Sequence, residues 1–143
     1  MDLPDVNILV YAFRSDSSHH RVSRDWLEEK LAAGTYFALS PLALSAVVRI
    51  TTNPRTNSIP STVADAFAFC QDLMDLPLCR LVEPGAHHWT IFRRLCVDHA
   101  ITGPRVTDAW FAALAIEHGC DWITMDRDFA RFSGLKWRRP GPA

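Results

Sequence analysis

The chain has 143 residues, 48% of them hydrophobic and 22% charged, with a formal net charge of −1. This length predicts one domain whose core needs no staples, and the composition excludes disorder and low complexity. No apolar run approaches the roughly 20 residues of a membrane-spanning helix, and the near-neutral balance excludes binding of nucleic acid by overall charge, though not by a local basic surface.

The opening MDLPDVNILVYAFR has no basic stretch before its short apolar run and no small-residue cleavage site. The expectation is a chain without a secretory leader and with a cytoplasmic address. Residues 1–4 read as a short strand, with a helix beginning near Asn7. Over 18–33, Val22, Trp26, Leu27 and Leu31 fall on one helical face, and Gly34 offers a stop. A second strand is predicted over 36–40. An apolar helix follows over 43–52, where Asn53-Pro54 ends it by removing a donor and restricting the residue before the proline. Ser61 opens a helix over 62–76 and Pro77 closes it. Further strands are predicted over 79–82, 121–125 and 135–137. Between them lie a helix over 87–99, with Trp89, Phe92, Leu95 and Cys96 on one side, and a helix over 107–118, introduced by Gly103-Pro104 and ended by Gly119. No linker, repeat or composition break divides the chain, so it reads as one domain over 1–143. Strands alternating with helices predict a three-layer α/β fold with a central, mostly parallel sheet flanked by helices.

Several residue types read as structural. The four cysteines, Cys70, Cys79, Cys96 and Cys120, form no C-x-x-C pair and read as small apolar packing residues. His19-His20 and His87-His88 are adjacent, so they cannot chelate as an i, i+4 pair would, and are predicted to be surface or capping residues. Trp26, Trp89, Trp110, Trp122 and Phe111 fall at core-like positions. Phe13 and Phe69 are candidates for an apolar surface facing a partner. The basic residues Arg127, Arg131, Lys136, Arg138 and Arg139 read equally well as an RNA-tracking edge and as a solvated one.

Chemistry in such folds gathers beyond the carboxyl ends of the strands. Asp5 follows the first strand, Asp126 follows the strand over 121–125, and Asp108 opens a helix whose next eight residues are uncharged. A helix so apolar all round is buried, so its first turn points at something specific. Convergent carboxylates repel unless a cation neutralises them, and hard oxygen ligands select Mg²⁺ or Mn²⁺. Each aspartate is equally readable as a helix N-cap, and spacing alone leaves both readings open.

Asp5-Val6-Asn7-Ile8-Leu9-Val10-Tyr11-Ala12 resembles the D-x-N-x-L-v-Y-a start of PIN-domain ribonucleases, above all the VapC toxins of bacterial VapBC toxin–antitoxin pairs. Ser40-Pro41-Leu42 through Arg49-Ile50-Thr51-Thr52-Asn53-Pro54-Arg55 is similar to a segment of one VapC subgroup. Thr107-Asp108-Ala109-Trp110-Phe111-Ala112-Ala113-Leu114-Ala115 resembles the third acidic motif of the family, and Ile123-Thr124-Met125-Asp126-Arg127-Asp128-Phe129 its fourth. The resemblance implies a PIN-like fold, Mg²⁺-dependent endonucleolytic cleavage of RNA, a VapB-type antitoxin and a homodimer. It implies that Asp5 and Asp108 are the main metal ligands and that Asp126 completes the catalytic cluster directly or through water. Asn7, Thr124 and Asp128 would support the site, and Arg49, Arg55 and Arg105 are the RNA-binding candidates. The sequence departs from the pattern at Ala46, where the family usually has a Glu. That loss predicts weaker metal affinity, and it keeps open a PIN-like RNA- or protein-binding module without catalysis. A phosphatase fits poorly, because Asp5-Val6-Asn7 lacks the second Asp of a D-x-D nucleophile pair.

Overall fold

The computed structural model describes residues 1–141. Five short strands, β1 (Asp2–Pro4), β2 (Phe37–Leu39), β3 (Cys79–Leu81), β4 (Asp121–Ile123) and β5 (Trp137–Arg138), form one sheet in the order β3-β2-β1-β4-β5. All four pairings are parallel. Six helices supply the crossovers: α1 (Val6–Phe13), α2 (His20–Ala32), α3 (Pro41–Thr51), α4 (Val63–Met74), α5 (His88–Asp98) and α6 (Arg105–His118). The α/β, parallel-sheet expectation is met.

Strand alternation sorts the core into two layers. On β2, Phe37 and Leu39 face one side and Ala38 the other; on β4, Trp122 and Ile123 part in the same way. This is the two-residue period of a strand. Trp122, Ala38 and Leu3 pack with α5 and α6, in a cluster that includes Leu95, Phe111 and Leu114. Phe37, Leu39 and Ile123 pack with α1 to α4, including Ile8, Leu9, Trp26, Val47 and Leu73. The central strands β1, β2 and β4 are largely buried between the two helical layers, whereas the edge strands β3 and β5 are partly exposed and carry Arg80 and Arg138.

Helix ends follow local chemistry. The Ser40 side chain accepts the Ala43 N–H at 3.4 Å, with Pro41 in the first helical position of α3. Thr62, one residue beyond the predicted Ser61, caps α4 by accepting the Asp65 N–H at 3.1 Å. Gly119 stops α6 at φ +64, where a side chain would be strained.

Several sequence expectations need correction. α6 begins at Arg105, two residues before the predicted start. The last strand is Trp137–Arg138, shifted from the predicted 135–137. Leu31 and Trp89, placed on apolar faces by periodicity, are exposed. His88, predicted at the surface or in a cap, is buried; its Nε2 meets the Trp110 carbonyl at 3.0 Å and its ring packs against Trp110 and Phe92. Phe13 and Phe69 stack on each other, with ring centroids 4.7 Å apart. All four cysteines are free thiols, with Cys70 and Cys120 buried.

Candidate active site

The strand order reverses direction at β1: the chain winds outward from β1 through β2 to β3, then returns to place β4 on the opposite flank of β1. A crevice opens at such a switch point, beyond the carboxyl ends of the two strands. Pro4 pairs with Ile123 across it, and the Asp5 N–H donates to the Ile123 carbonyl at 2.8 Å. The residues that follow each strand therefore start side by side.

Asp5, Asn7, Asp108 and Asp126 line one cleft there, with Val6, Val10, Tyr11, Ile50 and Phe129. The N-cap alternative holds for one of the three aspartates. Asp126 caps a 3-10 turn, Arg127–Arg131, its Oδ1 accepting the Asp128 N–H at 2.8 Å. Asp5 occupies the cap position of α1 but makes no side-chain cap. Asp108 lies inside the first turn of α6 and caps nothing. Thr124, fully buried, joins two of them: its hydroxyl donates to Asp5 Oδ2 at 2.6 Å and accepts the Asp126 N–H at 3.0 Å.

The electrostatics match a crowded acidic site. Burial pushes the Asp5 carboxyl up to about 6, against the pull of the Thr124 hydroxyl and the Val6 N–H; the charges of Asp108 and Asp126 add to the rise. Burial also raises Asp108, helped by the Asp126 carboxylate and opposed by Arg105 and Arg131. Carboxylates held in this way favour any cation that enters. One further acceptor awaits a partner: Asn7 Oδ1 is buried and hydrogen-bonded to nothing, a cost of about 1–3 kcal/mol unless something binds it.

These donors are all oxygens, which suits Mg²⁺ or Mn²⁺ and not a soft metal. Among the described residues, however, no three Asp, Glu, His or Cys side chains are close enough to hold an ion by themselves. The set thus fits a hydrated cation, reached partly through the waters that Mg²⁺ commonly keeps. Ala46, which stands where the family pattern has a Glu, lies one helical turn before Ile50 on α3 and so on the same face. The α3 side of the cleft is therefore apolar.

The other predicted residues divide. Asp128 is exposed, and its Oδ2 pairs with Arg105 Nη2 at 2.8 Å. Arg105 is the RNA candidate that comes to the acidic cleft. Arg49 rims a separate apolar groove between α3 and α4, and Arg55 is exposed in the turn after α3, its N–H donating to Asn53 Oδ1. Arg138 is tied to Asp2 at 2.6 Å. The cleft residues that sequence reasoning missed, Val10 and Tyr11, follow Asn7 at i+3 and i+4; helical spacing from Asn7 would have found them. Ile50 and Phe129 carry no such signal.

The model of the PIN domain family matches residues 3–135. Ribonuclease VapC25 of Mycobacterium tuberculosis is 40% identical over 140 residues, covering 98% of this chain and 99% of that protein. Among solved structures, VapBC2 from Rickettsia felis, bound to a DNA fragment from its promoter, is similar with a TM-score of 0.70 at 16% identity over 96% of each chain. Mycobacterium tuberculosis VapC20, a sarcin-ricin loop cleaving toxin, has a TM-score of 0.70 at 14% identity, over 95% of this chain and 99% of that one. At these identities the two structures show a shared fold. The family model and the end-to-end relative go further, and with them the chain belongs to the PIN-domain family, among its VapC ribonucleases.

Proposed function

We propose that the cleft is the active centre of a metal-dependent endoribonuclease, with Mg²⁺ as its ion and Mn²⁺ as an accepted substitute, and that the protein is the toxin of a toxin–antitoxin pair. The observation that carries this reading is the meeting of Asp5, Asp108 and Asp126, distant in sequence, around one cleft that also holds the unpartnered Asn7 Oδ1.

Asp5 and Asp108 would hold the ion, and Asp126 would complete the set directly or through water. Bound there, a divalent cation supplies an activated water and neutralises charge on the phosphodiester being cut. The chain's own residues do the rest. Thr124 fixes the Asp5 carboxylate and the Asp126 backbone with one hydroxyl. Asp126 Oδ1 is occupied by the Asp128 N–H, which leaves its other oxygen to orient the attacking water and take its proton. Asn7 Oδ1, buried and without a partner, would accept from a water at the centre.

A VapB-type antitoxin is the partner, and a homodimer the assembly, that this reading carries. The apolar groove between α3 and α4, about 430 Å³ and lined by Leu44, Val48, Phe67 and Met74, supports a macromolecular partner, as does the exposure of Leu42, Ile59, Val63 and Phe67. The second reading, a PIN-like binding module without catalysis, is favoured by Ala46 and by the lack, among the described residues, of a three-ligand cluster.

The test is cleavage of a structured RNA pool by purified, antitoxin-free protein with Mg²⁺, with Mn²⁺ and with EDTA, beside Asp5→Ala. Discrete metal-dependent cuts that vanish in the variant are expected. Wild type and variant that bind RNA alike and leave it whole would instead establish the binding module.

A further inference from the structure

We propose that Arg105 grips an RNA phosphate next to the scissile bond, and that Asp128 is its positioning residue and not a member of the acidic cluster. This rests on the ribonuclease reading and assigns two residues within it.

Asp128 comes two residues after Asp126, yet its carboxylate turns to the Arg105 guanidinium, with Nη2 and Oδ2 2.8 Å apart. Its own backbone is pinned, because the Asp128 N–H donates to Asp126 Oδ1 at 2.8 Å. Arg105 opens α6 and stands three residues before Asp108, on the same helical face. Its charge reaches Asp108 and Asp126 as well as Asp128. The pair thus bridges the first turn of α6 to the turn after β4, along the rim of the cleft.

For stability such a bridge matters little. Both side chains are about half exposed, 44% and 50%, and exposed pairs contribute between nothing and about 1 kcal/mol. For a polyanion it matters more. Three carboxylates repel an approaching phosphate, and a cation on the rim has to offset that repulsion. A guanidinium has five N–H donors in a planar fork, so one edge can rest on Asp128 while the remaining donors meet phosphate oxygens. Held by Asp128, the fork is already oriented, which avoids ordering a flexible side chain at the moment of reaction. With Oδ2 on Arg105, Asp128 lies outside the cleft lined by Asp5, Asp108 and Asp126.

The experiment compares wild type, Arg105→Ala, Arg105→Lys, Asp128→Asn and the double variant Arg105→Ala/Asp128→Asn. Affinity for a labelled single-stranded RNA is measured in EDTA across a salt series, and single-turnover cleavage is measured with Mg²⁺. Arg105→Ala should weaken metal-free binding about 5- to 10-fold and make the salt dependence shallower by about 0.7 of a log unit per log unit. Asp128→Asn should bind RNA at least as tightly as wild type, having lost a negative charge, yet cut it about 10-fold more slowly. In the double variant the rate should fall no further than in Arg105→Ala alone. Arg105→Lys should restore affinity and not rate, since an ammonium has no fork.

Rate losses that multiply in the double variant, or an Asp128→Asn protein that needs more Mg²⁺ for half-maximal rate, would place Asp128 in the acidic cluster and overturn the assignment. An Arg105→Ala protein with unchanged affinity and salt slope would remove Arg105 as an RNA contact. Wild type that binds RNA without cutting it would overturn the ribonuclease reading and the positioning role with it, while the affinity arm still decides Arg105.

Discussion

Asp5 shows how a single residue can be held at a cost to the fold. Its carboxyl is buried beside two others, and burial raises it from 3.8 to about 6. The native state therefore binds this proton more tightly than the unfolded chain. The group's contribution is fully present below about pH 4 and is lost as the pH rises through about 6, so at neutral pH the ionised carboxylate opposes folding. Asp5→Asn keeps an acceptor for the Thr124 hydroxyl and removes the charge. In EDTA at about pH 7.5 the variant should melt above wild type, by at most about 3 kcal/mol, and the gain should vanish near pH 4. Thermal denaturation at the two pH values checks this, and a gain of the same size at both would show that charge is not its source. At the residue scale, position in the sequence is informative where a backbone signal exists. Asp5 and Asp126 follow strands, and that placed them. Asp128, two residues on, reads from sequence as a supporting residue, but its partner does not, because the contact with Arg105 spans 23 positions along the chain.

At the scale of elements, α6 connects both ends of one layer. Its first turn presents Arg105 and Asp108 to the cleft, and its last turn presents Glu117 to the segment ahead of α5. Glu117 accepts the Gly85 N–H at 2.8 Å and the His87 N–H at 2.9 Å. Those donors have no side-chain cap of their own, since His87 makes none. Gly85 permits the approach, because a Cβ there would stand 2.9 Å from Glu117 Oε2. Burial pushes the Glu117 carboxyl up, but the two N–H donors and the neighbouring histidines pull it further down, to a net position below its ordinary 4.5. Its contribution is therefore present above about pH 4.5 and lost as the pH falls through the lowered value. Glu117→Ala should destabilise the protein by about 1–2 kcal/mol at neutral pH and by less in acid, as read by urea denaturation. An equal loss at both pH values would point to packing. Periodicity identified α5 and α6 but not their surroundings. It placed Trp89 in the core, and the adjacency of His87 and His88 suggested a surface or cap, whereas His88 is buried against the α6 backbone and Trp89 is in solvent.

For the whole molecule, the sheet edge is tied to the opposite layer through one buried carboxylate. Asp2 Oδ2 meets Lys30 of α2 at 2.7 Å and Arg138 of β5 at 2.6 Å. Two elements more than a hundred residues apart are thus held to the first strand. Asp2→Ala removes both ties, but Lys30 and Arg138 are 26% and 35% exposed and regain water. The expected cost is therefore about 1–2 kcal/mol, below that of breaking a fully buried pair. β5 should loosen first. The N–H groups of Trp122 and Thr124, which donate to the Lys136 and Arg138 carbonyls at 2.8 and 3.1 Å, should exchange with solvent sooner than those of α6. Hydrogen exchange measured residue by residue checks the order, and uniform acceleration across the chain would contradict it. Because Thr124 also holds Asp5, a loosened β5 should weaken the cleft at a distance.

Local sequence specifies the alternation of strands and helices, the burial of the central strands and the positions of Asp5 and Asp126 after strands. Each of these is written in local periodicity, in caps and stops, or in an aspartate at or just beyond the end of a strand. Which charges meet is set by the folded chain. It brought Asp5 and Asp126 together at the reversal of strand order, and it turned Asp128 toward Arg105. It also committed Arg138 to Asp2 and left Arg49 and Arg55 away from the cleft. The physical reason is that contacts between side chains distant in sequence depend on crossover direction and strand register, which no local window of residues contains.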